Sequence, residues 1–427
     1  MTIVMLLPLI VLAICFIIRI PISIGMFSAG VVYFLAAGVR LQVVAEQVTS
    51  SLYTNTILLT IPLFIFTANV MDSGKVTQYL FTFCKSLIGK KRGAMAYINI
   101  LVSLIFSGMT GSAVSDASGI GVIELKEMER DGYDKGFSAA ITAASATVGP
   151  IFPPSIPMVI YAMIAGVSVG KLFMGGMIPA FLICLALGIY VYFISKKRNY
   201  PAGIKFTFRQ FVNYTLKALP ALFTPIILLF GIYTGIVTPT EAGALAALYA
   251  LIISFFAYRS LTIKSFLQVV KNTVLQSGIV FALIIGAYVM TSAVVRSGLG
   301  EVVSGLFLTL TTNKYVFLLI VNVLFLFLGM LFDTMVLQLI FLPMFLPLAA
   351  ALGIDLVHFG VVICLNMMIG LSTPPYGLLC YITSGLSKAP LKDVFREVMP
   401  MVLIMVAVLL LITYVPFFIT FLPNNFM

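Results

Sequence analysis

Two stretches of this chain place consecutive prolines in the middle of apolar runs long enough to cross a bilayer. The first is Gly149-Pro150-Ile151-Phe152-Pro153-Pro154-Ser155, and the second is Gly370-Leu371-Ser372-Thr373-Pro374-Pro375. A proline has no N–H to donate, and its ring crowds the carbonyl four residues back, so neither run continues as one α-helix. Inside a membrane, the backbone groups freed by such a break are tolerated only where protein or a wet cavity satisfies them. Pro150, Pro153, Pro154, Pro374 and Pro375 are therefore read as helix breaks at membrane depth.

The rest of the chain supplies the membrane context. Of 427 residues, 61% are hydrophobic and 9% charged, with a mean hydropathy of +1.16. A soluble fold has no interior large enough for that, so the chain reads as an all-α polytopic membrane protein. The apolar runs are continuous rather than alternating, which excludes a β-barrel. A net charge of +11 fits the excess of Lys and Arg in cytoplasmic loops rather than nucleic-acid binding. Five cysteines without a CxxC pair suggest neither a disulfide framework nor a zinc site. No basic residue precedes the first apolar run, the reverse of a signal peptide.

Taken in order, residues 1–18 are expected to cross inward, 22–38 outward and 55–72 inward. Residues 40–52 and 76–89 are expected at the two surfaces. The run 94–107 is too short to span a core of about 30 Å. It ends in the Gly/Ser-rich Ser107-Gly108-Met109-Thr110-Gly111-Ser112-Ala113-Val114-Ser115-Asp116, so 94–123 reads as a re-entrant hairpin followed by a charged stretch, 124–135. Residues 137–166 contain the first break, and 172–195 return to Lys196-Lys197-Arg198. A hydrophilic linker, 199–211, separates 1–198 from 212–427. The second part repeats the order: spans at 218–237 and 240–258, a basic surface segment at 262–271, and a span at 273–295. A hairpin at 315–350 has its tip at Gly329-Met330-Leu331-Phe332-Asp333-Thr334. A broken helix at 355–386 and a span at 398–421 complete the chain.

The repeat is visible residue by residue. Pro153 and Pro374 are separated by 221 positions (374 − 153), and at that offset Gly108 meets Gly329, Gly149 meets Gly370 and Pro154 meets Pro375. Each half then holds five spans and one hairpin, an odd number of spans that sets the two repeats upside down relative to one another. On this layout only Arg40, Lys171, Arg296 and Lys314 of the 25 basic residues fall outside, in keeping with the positive-inside rule. Both termini are expected on the periplasmic side. Matched interruptions in two such halves point to the binding site of a secondary transporter.

The segment Gly132-Tyr133-Asp134-Lys135-Gly136-Phe137-Ser138-Ala139-Ala140-Ile141-Thr142-Ala143-Ala144-Ser145 leads into the first break. With Thr238-Pro239-Thr240-Glu241-Ala242, it resembles the large membrane subunit of TRAP transporters, the tripartite ATP-independent periplasmic importers. The likeness covers essentially the whole chain and is greatest to the sialic-acid branch. It implies an elevator-type ion-transporter fold in the bacterial inner membrane and sodium-driven import of an organic acid. It also implies two partners, a small four-helix membrane subunit on a separate chain and a periplasmic substrate-binding protein. A stand-alone sodium/dicarboxylate-type carrier, or a channel without a binding protein, is the competing reading. Neither an HExxH nor a GxSxG motif is present, so nothing suggests an intramembrane enzyme.

With sodium as the coupling ion, oxygen ligands would come from hairpin tips and from carbonyls that lose their helix partners at the breaks. The first site is expected from Gly108, Ser112, Ser115, Asp116 and Gly149, and the second from Gly329, Asp333, Gly370 and Thr373. Small residues at these places could instead serve close helix packing. Asp116 and Asp333 are read as the only acids deep in the membrane, either as ligands or as helix caps. For the organic acid itself, Arg296 would offer a planar fork to a carboxylate, or else anchor the protein at the interface. Asp116, Asp333 and the helix starts at Ser155 and Tyr376 complete the expected substrate contacts.

Overall fold

The structure, a computed structural model, describes residues 3–427 except 73–74, 301, 303–304, 306–308 and 310. Among the described residues it is helical, with one isolated bridge between Arg92 and Ala202. Seven helices among the described residues are long and apolar enough to cross a membrane. The first helices are α1 (Ile3–Ile17), α2 (Ile22–Ala36), α3 (Gln42–Thr54), α4 (Thr60–Met71) after a 3-10 turn at Thr56–Leu59, and α5 (Lys75–Ile88). At 1.5 Å per residue, the 15 residues of α1 and of α2 cover only about 22 Å each. Both end before the spans expected over 1–18 and 22–38 do, and residues 1–2 lie outside the described residues. Arg19, with φ +62°, and Pro21 end the first, and Gly38, with φ +68°, ends the second.

The first hairpin is α6 (Ala94–Thr110), α7 (Ala113–Ser118) and α8 (Ile120–Arg130). The charged stretch expected beyond it is helical to Arg130. One face of α8 buries Glu124, Leu125 and Met128, while Glu127 turns outward to pair with Lys85 and Arg130. Spacing of three to four residues separates the two faces. The first broken helix is α9 (Lys135–Ala146) and α10 (Ile156–Ala165), followed by α11 (Val169–Lys197).

The linker is shorter and more tied down than its composition suggests. Thr207 and Gln210 form a capping box that starts α12 (Phe208–Tyr233) inside it. Upstream, Gly93 donates to the Pro201 carbonyl at 3.0 Å, and Gly203 donates to the Lys91 carbonyl at 3.1 Å. Arg198 closes the end of α11. Its guanidinium donates to both Glu397 oxygens at 2.8 Å and to Asp134 at 3.3 Å.

The second part comprises α13 (Pro239–Ile252), α14 (Ile263–Ser297), α15 (Lys314–Leu331), α16 (Thr334–Ala351), α17 (Leu356–Leu371), α18 (Leu378–Ser387), α19 (Leu391–Tyr414) and α20 (Phe417–Phe426). The surface segment 262–271 and the span 273–295 are one helix, α14, because nothing in 263–297 is a proline that could part them. The closing span also differs from 398–421. It begins earlier, at Leu391, and the chain bends at Val415-Pro416 into a separate helix.

Two groups of helices result. One packs α1, α2, α4, α12, α13 and α14 together. Within it α2 and α14 approach closely enough that a Cβ on Gly30 would lie 2.8 Å from the Val289 carbonyl oxygen, and one on Gly286 would collide with that of Ser23. Reciprocal small residues of this kind are how membrane helices gain contact without a hydrophobic drive. The other group holds the two hairpins, both broken helices, α11, α19 and α20.

Candidate functional site

The first hairpin tip is pressed onto the first break. Gly111 turns the chain with φ +60°. A Cβ there would lie 2.6 Å from the Pro154 carbonyl oxygen, so only glycine fits this conformation and this contact. Gly108 sits one turn earlier, where a Cβ would meet the Phe152 ring at 3.4 Å and Pro225 at 3.3 Å. Ser112 caps α7, its Oγ accepting the Ser115 N–H at 3.4 Å. Gly149 is buried in the break, its N–H donating to the Ala146 carbonyl at 3.2 Å.

Asp116 is 1% exposed. Ser112 rather than Asp116 caps the helix, and neither Asp116 oxygen has a hydrogen-bond partner of ordinary geometry. Behind it runs a buried polar chain across α6 and α9. Ser103 donates to Ser145 at 3.1 Å, Ser145 to Asn99 at 2.7 Å, and Asn99 to Thr142 at 2.7 Å. Asp116 and Asp333 are not the only acids here. Glu124 is fully buried, and the carboxylate of Asp72 lies against Gly119 at the foot of the same hairpin.

The second tip meets the second break backbone to backbone. A Cβ on Gly370 would lie 2.7 Å from the Gly329 Cα. Asp333 is the N-cap of α16, with Oδ1 accepting the Met335 N–H at 2.9 Å. The cap role is thus real, and it leaves the second carboxylate oxygen uncommitted to that bond. Thr373 is buried, and its hydroxyl donates to the Ile369 carbonyl at 2.6 Å, which keeps the oxygen's lone pairs for another group. Both Pro153-Pro154 and Pro374-Pro375 are cis.

The tips open on a shared cavity of about 480 Å³. Thr110, Ser112, Ser115 and Ser118 line it from the first hairpin, Asp333 and Met335 from the second, and Ile156 from the start of α10. The opposite wall is Asn69 and Asp72 from α4, with Asn272, Gln276 and Leu283 from α14. Asn69 ties that wall together, donating to Thr273 at 3.1 Å and to Gln276 at 3.0 Å. Asp72 and Asp333 are the charged side chains of the lining, and no Lys, Arg or His joins them among the described residues. Hydroxyl, amide and carboxylate oxygens are the ligands that suit hard cations. Among the described residues, no group of three His, Cys, Asp or Glu is placed to hold a metal.

Asn69, Asp72, Asn272 and Gln276 do not stand out in the sequence alone. The signal for them is an amide inside the apolar run 64–71, with two more on about the third and fourth turns of α14. Four expected substrate contacts lie elsewhere, the enclosed Asp116 among them. Ser155 is completely enclosed, its hydroxyl donating to the Pro150 carbonyl and accepting the Met158 N–H at 3.2 Å. Tyr376 is 60% exposed and outside the cavity lining. Arg296 is exposed in the last turn of α14, 13 residues or about 20 Å along the axis from Leu283. There it complements the negative end of the helix dipole. Ser155 therefore bridges the break, and Ser155→Ala is expected to lower stability by about 1–3 kcal/mol. Thermal unfolding in detergent checks this, and an unchanged midpoint would remove the bridging role.

Comparison with known proteins agrees with this architecture. Residues 9–418 match the family described as "Tripartite ATP-independent periplasmic transporter, DctM component". The chain is 40% identical over 373 residues to the sialic acid TRAP transporter large permease protein SiaM of Vibrio cholerae, covering 87% of each chain. It is 34% identical to the C4-dicarboxylate TRAP transporter large permease protein DctM of Pseudomonas aeruginosa, covering 94% of each. The crystal structure of the YdaH transporter of Alcanivorax borkumensis shares the fold, with a TM-score of 0.62 at 14% identity over 88% of this chain and 87% of that one. A family match across nearly the whole length, on a helical frame with two hairpins and two broken helices, makes this chain a member of the DctM-component family, the large permeases of tripartite ATP-independent periplasmic transporters.

Proposed function

We propose that this permease imports an organic acid together with sodium ions through the cavity between its two helix groups. The observation that carries the reading is the charge of the lining: two carboxylates and, among the described residues, no basic side chain. Such a cavity disfavours an anion on its own. Sodium ions held at the tips, by Ser112, Ser115, Asp116, Gly108 and Gly149 in the first and by Gly329, Asp333, Gly370 and Thr373 in the second, would supply the missing positive charge. Ion and substrate binding would then favour each other, and that mutual dependence is the basis of coupling. The hairpin-bearing group would slide against the α2–α4–α14 group in an elevator movement.

Sialic acid is the proposed substrate. The V. cholerae relative carries that name and the P. aeruginosa relative a C4-dicarboxylate name, so similarity alone leaves the choice between them. Walls rich in amides and hydroxyls suit a monoacid bearing many hydroxyl groups, whereas Asp72 and Asp333 oppose a compact dianion. A separate small membrane subunit and a periplasmic binding protein would complete the transporter in the bacterial inner membrane, with both termini periplasmic.

Uptake into proteoliposomes tests the reading. With two sodium ions per monoanion, one net positive charge enters per cycle. Each 100 mV, inside negative, then adds about 2.3 kcal/mol, and each tenfold sodium gradient about 1.4 kcal/mol per ion. Sialic-acid uptake is expected only with sodium and a matching binding protein, and it should rise with inside-negative voltage. Equal uptake without sodium would remove the coupling. Equal uptake without any binding protein would favour the stand-alone carrier.

A further inference from the structure

A second cavity, of about 290 Å³, lies between the α1–α2 pair and the second hairpin. Leu9, Leu12 and Phe16 form one wall, and Phe332, Val336 and Ile340 the other. Among the described residues, no charged, amide or hydroxyl side chain lines it. The Phe16 and Phe332 rings meet across it at 5.1 Å between centroids. Water would find no hydrogen-bond partners in such a space. One turn of a partner helix, about 10 Å across and about 5.4 Å long, occupies roughly 420 Å³, more than this space holds. A single flexible hydrocarbon chain is the remaining shape that fits, and the surrounding bilayer supplies it.

The mouth of the crevice carries a charge. Arg19 stands in the turn between α1 and α2, flanked by Ile17 and Ile20, which both line the cavity. Its side chain is exposed, and it has no ion-pair partner among the described residues. A basic side chain at the interface beside an apolar cleft suits an anionic headgroup whose acyl chain enters the cleft. We infer that the crevice binds one acyl chain of an anionic phospholipid, with the headgroup on Arg19. Entering beside Arg19, the acyl chain passes the Phe16–Phe332 pair, and Phe332 is the residue before Asp333, so the bound lipid bears directly on the second tip.

The test uses the full chain in nanodiscs. The protein contains no tryptophan, so Phe16→Trp places a sole indole in the crevice wall. Phosphatidylglycerol with brominated acyl chains is compared with equally brominated phosphatidylcholine at the same low mole fraction. Several-fold stronger quenching by the anionic lipid, saturating as its fraction rises, is the expected result, and Arg19→Gln should make the two lipids equal. Equal quenching in the Arg19 protein overturns the proposal. So does loss of the preference once the small membrane subunit is bound, which would assign the face to that partner. Should Phe16→Trp fail to fold, native mass spectrometry of the unsubstituted chain decides: preferential retention of one phosphatidylglycerol, lost in Arg19→Gln, supports the site, and no preference overturns it.

Discussion

Asp333→Asn is expected to raise the sodium concentration for half-maximal uptake about tenfold or more while leaving the protein folded. The two roles of this carboxylate are separable because asparagine caps a helix about as well as aspartate. The bond to the Met335 N–H, 2.9 Å in the structure, can survive the substitution, and only the charge is lost. A tenfold change corresponds to about 1.4 kcal/mol. That is modest beside the roughly 4 kcal/mol between unit charges 4 Å apart at an effective dielectric of 20. Asp333→Ala removes cap and charge together, so it should add a stability loss of about 1 kcal/mol. Uptake against sodium concentration, at matched membrane levels, and thermal unfolding of both variants make the comparison. Unchanged sodium dependence in the asparagine variant would confine Asp333 to capping.

Gly370→Ala should abolish uptake and lower stability by about 1–3 kcal/mol, the usual cost of overpacking. Its Cβ would lie 2.7 Å from both the Cα and the carbonyl carbon of Gly329. These are backbone atoms of the opposing hairpin, so no side chain can swing aside, and the tip must be pushed off the break. Gly385 provides the control. It lies inside α18, where an added Cβ would have nothing within 4 Å, and alanine there should be neutral or stabilising by up to about 1 kcal/mol. Full transport by Gly370→Ala would show that the contact between tip and break is dispensable.

The breaks and the tips are legible in the sequence because proline and glycine act on their own backbone. Pro153-Pro154 and Pro374-Pro375 interrupt their helices wherever they are packed, and Gly108 and Gly329 flag the tips by their shared offset. The family resemblance is legible for the same reason, since its motifs surround those local features. The facing wall is not legible. Asn69 and Gln276 lie 207 residues apart, and their bond depends on how α4 and α14 are rotated against each other, which no local pattern records. The role of Asp116 turns on a similar point. A cap is defined by where the helix begins, and α7 begins one residue after Ser112. The division of 262–295 into two elements fails for a simpler reason: a change from polar to apolar residues does not break a helix, and α14 runs through it.

In the elevator movement proposed above, the pinned linker would limit how far the hairpin-bearing group could travel. Residues 201–203 are held to Lys91 and Gly93 beside the first hairpin, and a Cβ on Gly203 would collide with the Gly89 carbonyl oxygen, so the strand is clamped rather than draped. Only 204–207 remain before α12 belongs to the opposite helix group. Four residues reach at most about 14 Å when fully extended. Displacement of the hairpins past α12 beyond that tether length would first have to unzip the bridge at Arg92 and Ala202, so on the proposed movement this short strap would act as the stop at one end of the stroke.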